Sequence, residues 1–371
     1  MPSLTFVAHE VHRHGGQERA AAEVLTRLAL DVDLTVVARV CELPGVHVRF
    51  SRVAVPGRPA VLSSALFARA AARAAVRAGS QLLQSIGAAA PEADVITAQF
   101  CQAAFTARFG GLRGGGMLKG LLQSAVQARF VQDERRAYAA KRLRRVIAVS
   151  SGVGRELEEH YRVPAARITV IPNGVDHAVF HPVEDIVRRA LRHHLDLPTD
   201  QCLALFLGGD WERKGLRDAI SAVAGVPDVM LVVVGAGNQA PMREHAARVG
   251  AAAQVRFAGM SREPQAWYQA ADFLLFPSRY EAFSLVTLEA AASGLPIVAH
   301  AINGTEDLIT DGVNGFLSDW GPEALRVHVL RLRDDAALRA RMGAAAATGS
   351  QRYAWDRIAG EHLRVVRECI A

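Results

Sequence analysis

Two glutamates, Glu281 and Glu289, stand eight positions apart in SRYEAFSLVTLEAAASGLPIV (278–298), separated by a short apolar run that leads into an alanine-rich helix closed by Ser293-Gly294. The strand-like DFLLFPS (272–278) precedes them, so the chain turns through Arg279 to Ala282 and a helix is predicted to start near Phe283 or Ser284. The first N–H groups of a helix lack intrahelical acceptors, and those of Phe283, Ser284 and Leu285 would face a phosphate held at the helix tip. Glu281 precedes the helix and Glu289 lies inside it, so the two carboxylates can reach different parts of one ligand. A nucleotide diphosphate-sugar has such parts, sugar on one side of the diphosphate and ribose on the other. The plainer reading is that both glutamates merely favour the helix start and solubility.

A diphosphate also needs positive charge. LFLGGDWERKGL (205–216) supplies it as a strand, a Gly-Gly turn, and then Arg213 and Lys214 just before the next helix. Arginine offers a fork of donors and lysine a point charge, so the pair can neutralise a leaving diphosphate without a metal. Two adjacent cations alone also fit an exposed helix entry. Near the start of the chain, HEVHRHGGQERAAAEVL (9–25) follows the first strand; Gly15 and Gly16 let backbone approach a ligand, and Gln17 opens the helix. His9, His12 and His14 share that loop but have no carboxylate or cysteine at metal-ligand spacing, so no metal is expected. Asp-Val-Asp at 31–33 precedes a strand instead of following one and is read as a turn.

The elements that must position these residues alternate along the chain. SLTFVAH (3–9), DLTVVARV (33–40), DVITAQF (94–100), RVIAVS (145–150) and RITVIP (167–172) form one series of strands, with helices at 17–30 and 121–142 between them. CLALFLGG (202–209), VMLVVVGAG (229–237), VRFAGM (255–260), DFLLFPS (272–278) and PIVAHAI (296–302) form a second. Strands spaced by helix-length segments imply parallel sheets covered on both faces, hence an α/β protein with two Rossmann-like domains. IPNGVDHAVFHPVEDI, rich in turn formers, reads as the crossing, with the boundary near Pro182. Ligands of open parallel sheets sit beyond the carboxyl ends of the strands, where all of these candidate residues fall.

Length and composition agree. A chain of 371 residues, half of them hydrophobic, suits two globular domains. Its four cysteines are scattered, which indicates neither a disulfide framework nor a zinc site and favours a reducing cytoplasm. The first residues show no charged leader, and no apolar run approaches the about 18 residues of a membrane span. The net charge of +6 is uneven: residues 1–182 carry 23 Lys and Arg against 14 Asp and Glu, the remainder 20 against 23. A basic first half suits an anionic partner, and surplus arginine also suits a solvated surface.

Taken together the segments resemble the retaining glycosyltransferases of family 4, which have the GT-B fold of two Rossmann-like domains facing a cleft. EAFSLVTLE matches the family's Glu-x7-Glu pattern; VIAVSSGV (146–153), VIPNGVD (170–176), RKG (213–215), VVVGAG (232–237) and GTEDLITDGVNGFL (304–317) follow the family's order over nearly the whole chain. The resemblance implies an acceptor domain over 1–182, a nucleotide-sugar donor domain over 183–350, and a C-terminal helix over 351–371 that returns to the first domain. It further implies that Glu289 bonds the donor ribose and that Glu281 contacts the transferred sugar as the catalytic residue. Arg213, Lys214, Gly16 and the 283–285 amides would hold the diphosphate. Gly15, Gln17 and Gln99 are expected on the sugar and acceptor side, and Met260 and Arg262 beside the base. The implied reaction moves a hexosyl-type sugar from a UDP- or GDP-sugar to a hydroxyl acceptor, with no cofactor, no metal and no nucleic-acid partner.

Two departures limit the transfer of roles. Many family members place an arginine where this chain has Gly209, five residues before Lys214; Arg213 can replace it from the adjacent position. Many also have a donor-contacting histidine after a first-domain strand, where DVITAQFCQAAF offers Gln99 and the stretch 110–120 is glycine-rich. No catalytic base is assigned, which suits front-face departure of a diphosphate whose own oxygen takes the acceptor proton. A NAD-dependent oxidoreductase is the rival from another class, since VVVGAGNQA (232–240) gives G-x-G-x-x-A, yet VRFAGM lacks the acidic ribose residue. A sugar-nucleotide epimerase of the same fold and a catalytically silent binding protein also fit the architecture.

Arg69, Arg73 and Arg77 recur at i, i+4 and i+8 in VLSSALFARAAARAAVRAGSQLL (61–83), read as one helix with Leu62, Leu66 and Val76 on other faces. With Arg135, Arg136, Lys141, Arg142, Arg144 and Arg145 they predict an anionic or lipid-linked acceptor, or peripheral contact with the inner face of a membrane.

Overall fold

The computed structural model describes residues 1–55, 60–109 and 117–371, and their side chains except at 60–62 and 117–123. The glycine-rich stretch at 110–116 and the side chain of Leu62 therefore lie outside the described residues. The chain forms two compact units, Met1–Asn173 with Trp355–Ala371, and Gly174–Ala354. Each is an α/β unit on a parallel sheet. The division falls at Asn173, ahead of the Pro182 expected from turn composition, because Val175 already donates to the Tyr353 carbonyl (2.8 Å) and bridges Ala354, inside the second unit.

The first sheet contains β1 (Ser3–Val7), β2 (Asp33–Ala38), β3 (Arg49–Arg52), β4 (Leu82–Ile86), β5 (Val95–Ala98), β6 (Arg145–Ala148) and β7 (Ile168–Val170), in the order β3-β2-β1-β4-β5-β6-β7. β1, β2, β5 and β6 are almost wholly buried, as apolar strands flanked by helices must be. α1 (Gln17–Leu28) turns Ala21, Leu25 and Leu28 inward and packs against the closing helix Trp355–Ile370, which thus belongs to the first unit. Arg27 bonds Asp356 across that contact at 2.6 Å.

α2 (Ala60–Ala78) ends earlier than the helix predicted through Leu83. Gly79, at φ +63°, takes the left-handed conformation that terminates helices, and Leu82 and Leu83 instead open β4. β3 and β4 add two strands to the series that periodicity marks: β3 is largely exposed and polar, and β4 follows the alanine-rich α2 after only Gly79, Ser80 and Gln81.

The second sheet is built from β8 (Cys202–Leu207), β9 (Val229–Val234), β10 (Val255–Gly259), β11 (Phe273–Phe276), β12 (Ile297–His300) and β13 (Gly315–Ser318), ordered β10-β9-β8-β11-β12-β13. Its helices include α3 (Asp185–His194), α4 (Leu216–Val223), α5 (Leu285–Ala292) and α6 (Ala336–Ser350). Phe206, Phe273, Leu231, Leu216 and Val329 fill a core with no exposure, each large side chain contributing roughly 1.5–3 kcal/mol of burial. The strand order reverses between β8 and β11, which pair in parallel through Ala204 with Phe273 and Leu205 with Leu274. Such a reversal leaves a crevice outside the carboxyl ends of those two strands.

Candidate donor site in the second unit

The two segments leaving that edge meet. After β8, Gly208 at φ +131° lets the Lys214 side chain fold back over it, since a Cβ there would lie 2.8 Å from Lys214 Cε. Gly215, at φ +77°, lies so close to the β11 exit that an added Cβ would stand 2.1 Å from the Pro277 carbonyl oxygen. Arg279 N–H closes the contact by donating to the Arg213 carbonyl at 2.9 Å. The R-K-G tripeptide is thereby pressed against residues 277–281.

Glu281 sits at the junction, largely buried. Its Oε1 accepts from Arg213 Nη1 (3.0 Å), Lys214 Nζ (3.1 Å) and Ser278 Oγ (3.0 Å). Burial alone would raise the Glu281 carboxyl, but Lys214 and Arg213 outweigh it and hold the group below the usual carboxylate range. Arg213 is anchored further: Nη1 donates to the Tyr280 carbonyl at 2.6 Å and Nε to Asp210 at 2.8 Å. Lys214 Nζ also rests 4.6 Å from the centre of the Phe276 ring. Both cations contact Glu281, four residues before α5, whose first amides are the other electropositive feature expected at the site.

That helix begins at Leu285, one residue beyond the predicted start, with Ser284 as N-cap and its Oγ accepting from Thr287 N–H at 3.4 Å. The loop before it is held from behind by Gly304, at φ +78°, where a Cβ would lie 2.8 Å from Phe283 Cα. Phe283 is buried with its ring 5.7 Å from that of Tyr353. Glu289 is buried within α5, and its Oε2 accepts from Tyr268 Oη at 2.9 Å. The two glutamates therefore have different partners: Glu281 faces cations and Glu289 faces a tyrosine hydroxyl.

Met260 and Arg262 follow the carboxyl end of β10, both exposed. Gly209 stands where many family members place an arginine, and the cations on Glu281 are Arg213 and Lys214. In the first unit, Gly15 (φ +83°), Gly16 and Gln17 are exposed at the start of α1, with Gly16 as its N-cap. Gln99 follows β5 and exchanges hydrogen bonds with Asn173: its Nε2 donates to Asn173 Oδ1 at 3.0 Å, and Asn173 Nδ2 donates to its Oε1 at 3.4 Å. His12 contacts Glu10 at 3.3 Å and His9 packs on Phe67, 4.3 Å between ring centres. Among the described residues no group of three or more His, Cys, Asp or Glu is placed to hold a metal ion.

Residue types alone do not reveal Ser278, Tyr268, Gly208 or Gly304 as parts of this arrangement. FPS and GTEDLITDGVNGFL contain two of them, but only the packing shows what they touch. The second basic cluster of the first unit is partly structural. Arg142 grips Asp94 with two bonds at 2.8 and 2.9 Å, and Arg144 and Arg145 donate to the Cys369 and Ala166 carbonyls. Arg69, Arg73 and Arg77 lie on α2 beside an exposed Val76, while Phe67 and Ala71 face inward.

Known proteins resemble this chain over both units. A model of group 1 glycosyl transferases matches residues 187–348, and a model of glycosyltransferase family 4 matches residues 14–179. A D-inositol 3-phosphate glycosyltransferase of Streptomyces avermitilis is 35% identical over 246 residues, 62% of this chain and 52% of that protein. Its counterpart in Xylanimonas cellulosilytica is 35% identical over 251 residues, 64% of this chain and 60% of the relative. The chain thus spans little more than half the length of the curated relatives it matches. Among solved structures, WaaG, a glycosyltransferase involved in lipopolysaccharide biosynthesis, superposes with a TM-score of 0.80 at 20% identity, covering 98% of this chain and 99% of that one. Anabaena HepE in complex with UDP gives 0.76 at 19% identity, covering 99% and 100%. At such identities the likeness is one of fold, the GT-B architecture built from two Rossmann-like units.

Proposed function

Because the chain belongs to the group 1, family 4 glycosyltransferases, we propose that it moves a hexosyl-type sugar from a UDP- or GDP-sugar to a hydroxyl acceptor, with retention and without a metal. One observation carries the reading: Arg213 and Lys214 converge within 3.1 Å of a single Glu281 oxygen at the strand-order reversal, four residues before α5. Two fixed cations and the helix-start amides expected there suit a diphosphate. HepE, by its description, binds UDP and UDP-glucose, which supports the same donor class here.

In this reading the diphosphate displaces Glu281 from part of its cationic contact, and the carboxylate then accepts from a hydroxyl of the transferred sugar. Arg213 and Lys214 stabilise the charge that builds on the leaving diphosphate as the glycosidic bond to it breaks. The acceptor oxygen forms the new bond on the same face, its proton passing to the departing phosphate, so positioning replaces a protein base. Glu289, set by Tyr268, takes the ribose hydroxyls, and Met260 and Arg262 flank the base. The first unit is assigned the acceptor. Relatives named for D-inositol 3-phosphate and the basic first half both support an anionic one. A lipid-linked acceptor is the second reading, favoured by the Arg69, Arg73 and Arg77 stripe on α2. Among the described residues no helix is long and apolar enough to cross a membrane, so contact made by that stripe would be peripheral.

Calorimetric titration with UDP and with GDP, each with and without EDTA, tests the donor. Binding of one nucleotide at equal strength with and without chelator is expected. Binding of NAD with no response to either nucleotide would reject the proposal.

A further inference from the structure

The opposite edge of the second sheet holds a cavity of about 540 Å³ between α3 and α6. Asp272, immediately before β11, and Thr199, shortly before β8, line it, so it opens at the amino ends of the strands whose carboxyl ends carry the candidate donor site. Four arginines reach it: Arg188, Arg189, Arg192 and Arg339. One of them is committed to the fold. Arg192 is buried and donates to the Ala270 carbonyl (2.9 Å), the Gln201 carbonyl (3.2 Å) and Asp272 Oδ2 (2.7 Å). Asp272 is consumed by the same network, since its Oδ2 also accepts from Leu203 N–H at 2.7 Å.

The other three keep donors to spare. Arg188 makes a long 3.4 Å contact to Asp272 Oδ1, and its Nε is buried without any partner. Arg189 is exposed, with no carboxylate paired to it among the described residues. Arg339 uses Nη1 on the Leu332 and Arg333 carbonyls, leaving the rest of its fork. Against these three charges stands Asp185 alone, an excess of two positive charges at the cavity wall. A phosphomonoester carries about −1.5 to −2 at neutral pH, which this excess matches. A phosphate fills only part of such a volume, which lies within the range of small-molecule sites. Pro182, Leu295 and Ala340 provide apolar wall for an organic body.

We propose that the cavity between α3 and α6 is a second ligand site, for a phosphorylated small molecule. Its floor includes Gly294, just beyond the last turn of α5, so the occupant would touch one end of the helix whose other end forms the candidate donor site.

The test is calorimetric titration of the full chain with inorganic phosphate and with phenyl phosphate, at constant ionic strength because exposed charges are screened. Phenyl phosphate should bind more tightly than inorganic phosphate. Arg188→Gln with Arg189→Gln should weaken it about tenfold or more, as expected for losing charged hydrogen bonds. The single change Arg189→Glu, at an exposed position that folding does not need, should weaken it likewise, and Lys214→Gln should leave it unchanged. Absence of binding to the wild type, insensitivity to Arg189→Glu, or loss in Lys214→Gln would overturn the proposal. The last outcome would place the phosphate at the donor site, whose own reading the UDP titration decides independently.

Discussion

Replacing Glu281 by glutamine separates its electrostatic role from its shape. The amide keeps an acceptor for Ser278 Oγ, 3.0 Å away, and for one cation, but its charge is gone. Wild-type Glu281 takes charge-assisted bonds from both Arg213 and Lys214. Arg213 and Lys214 keep their charge, so their bonds to the amide oxygen stay charge-assisted, but the attraction of each ion pair is lost, roughly 1 kcal/mol per pair in a cluster that solvent still reaches. The free protein should therefore lose about 2 kcal/mol of stability at neutral pH.

The sign with pH follows from the lowered carboxyl. A group depressed in the folded state contributes stability that is present above its unfolded pKa, about 4.3, and lost as pH falls through the folded value. Glu281→Gln should therefore lower the melting temperature at pH 7 and flatten its decline on the acid side. Its effect on UDP runs the other way. Cations released from Glu281 are free for the diphosphate, so UDP should bind as tightly as to wild type, or more tightly, while turnover of the full donor falls. Lys214→Ala removes a diphosphate partner and should weaken UDP by on the order of 1.5–3 kcal/mol, about tenfold to 150-fold. Melting curves from pH 3 to 8 and UDP calorimetry on the two variants read all of this. If Glu281→Gln weakens UDP as much as Lys214→Ala does, the carboxylate is not the resident counter-charge of the phosphate site and the reasoning fails.

Gly304→Ala places a Cβ 2.8 Å from Phe283 Cα at a positive φ, so it should displace the loop before α5, lower stability by roughly 1–3 kcal/mol and weaken UDP binding; a neutral result would show that the loop is not braced from behind. Glu289→Ala should weaken UDP by about 1–3 kcal/mol while Tyr268→Phe costs about 1 kcal/mol or less, and equal losses would mean that the tyrosine, not the carboxylate, reads the nucleoside. In the first unit, burial pushes the Glu134 carboxyl up to about 7 despite bonds from Tyr161 Oη (2.6 Å) and Gln102 N–H. Stability associated with that raised value is present below the unfolded pKa and lost as pH rises to about 7, so Glu134→Gln should raise the melting temperature at pH 8 and change it little at pH 4; an unchanged difference across that window would reject the assignment. Sedimentation with phosphatidylglycerol vesicles should be salt-sensitive and lost in Arg69/Arg73/Arg77→Ser if the acceptor is lipid-linked, whereas negligible pelleting of both proteins would assign a soluble acceptor.

What can be read from the sequence is local. Glu281, Glu289 and Arg213-Lys214 stand out because each lies within a few residues of a strand exit and a helix entry, and periodicity marks both. β4 does not, because Leu82 and Leu83 follow the alanine-rich α2 after only Gly79, Ser80 and Gln81, and the left-handed turn at Gly79 that ends the helix is not marked by periodicity. The division at Asn173 is hidden for another reason: it depends on Val175 pairing with Tyr353, a contact between distant parts of the chain. Gly208 and Gly304 look like ordinary turn glycines, since what requires them is a neighbour, Lys214 or Phe283, that folding brings alongside.

The same distinction explains why both carboxylates and both cations are legible as candidates while their pairing is not. Glu281 and Lys214 are 67 residues apart, and nothing in either segment names the other. The strand order does. β8 and β11 are parallel neighbours, so their exit loops leave one edge of the sheet a strand spacing apart, about 5 Å, with no strand between them. Gly215 against the Pro277 carbonyl then closes the remaining gap. A lysine just before α4 and a glutamate just before α5 must consequently confront each other across that reversal. Their ion pair is a product of topology, and the crevice where a diphosphate would compete for the same lysine is its direct consequence.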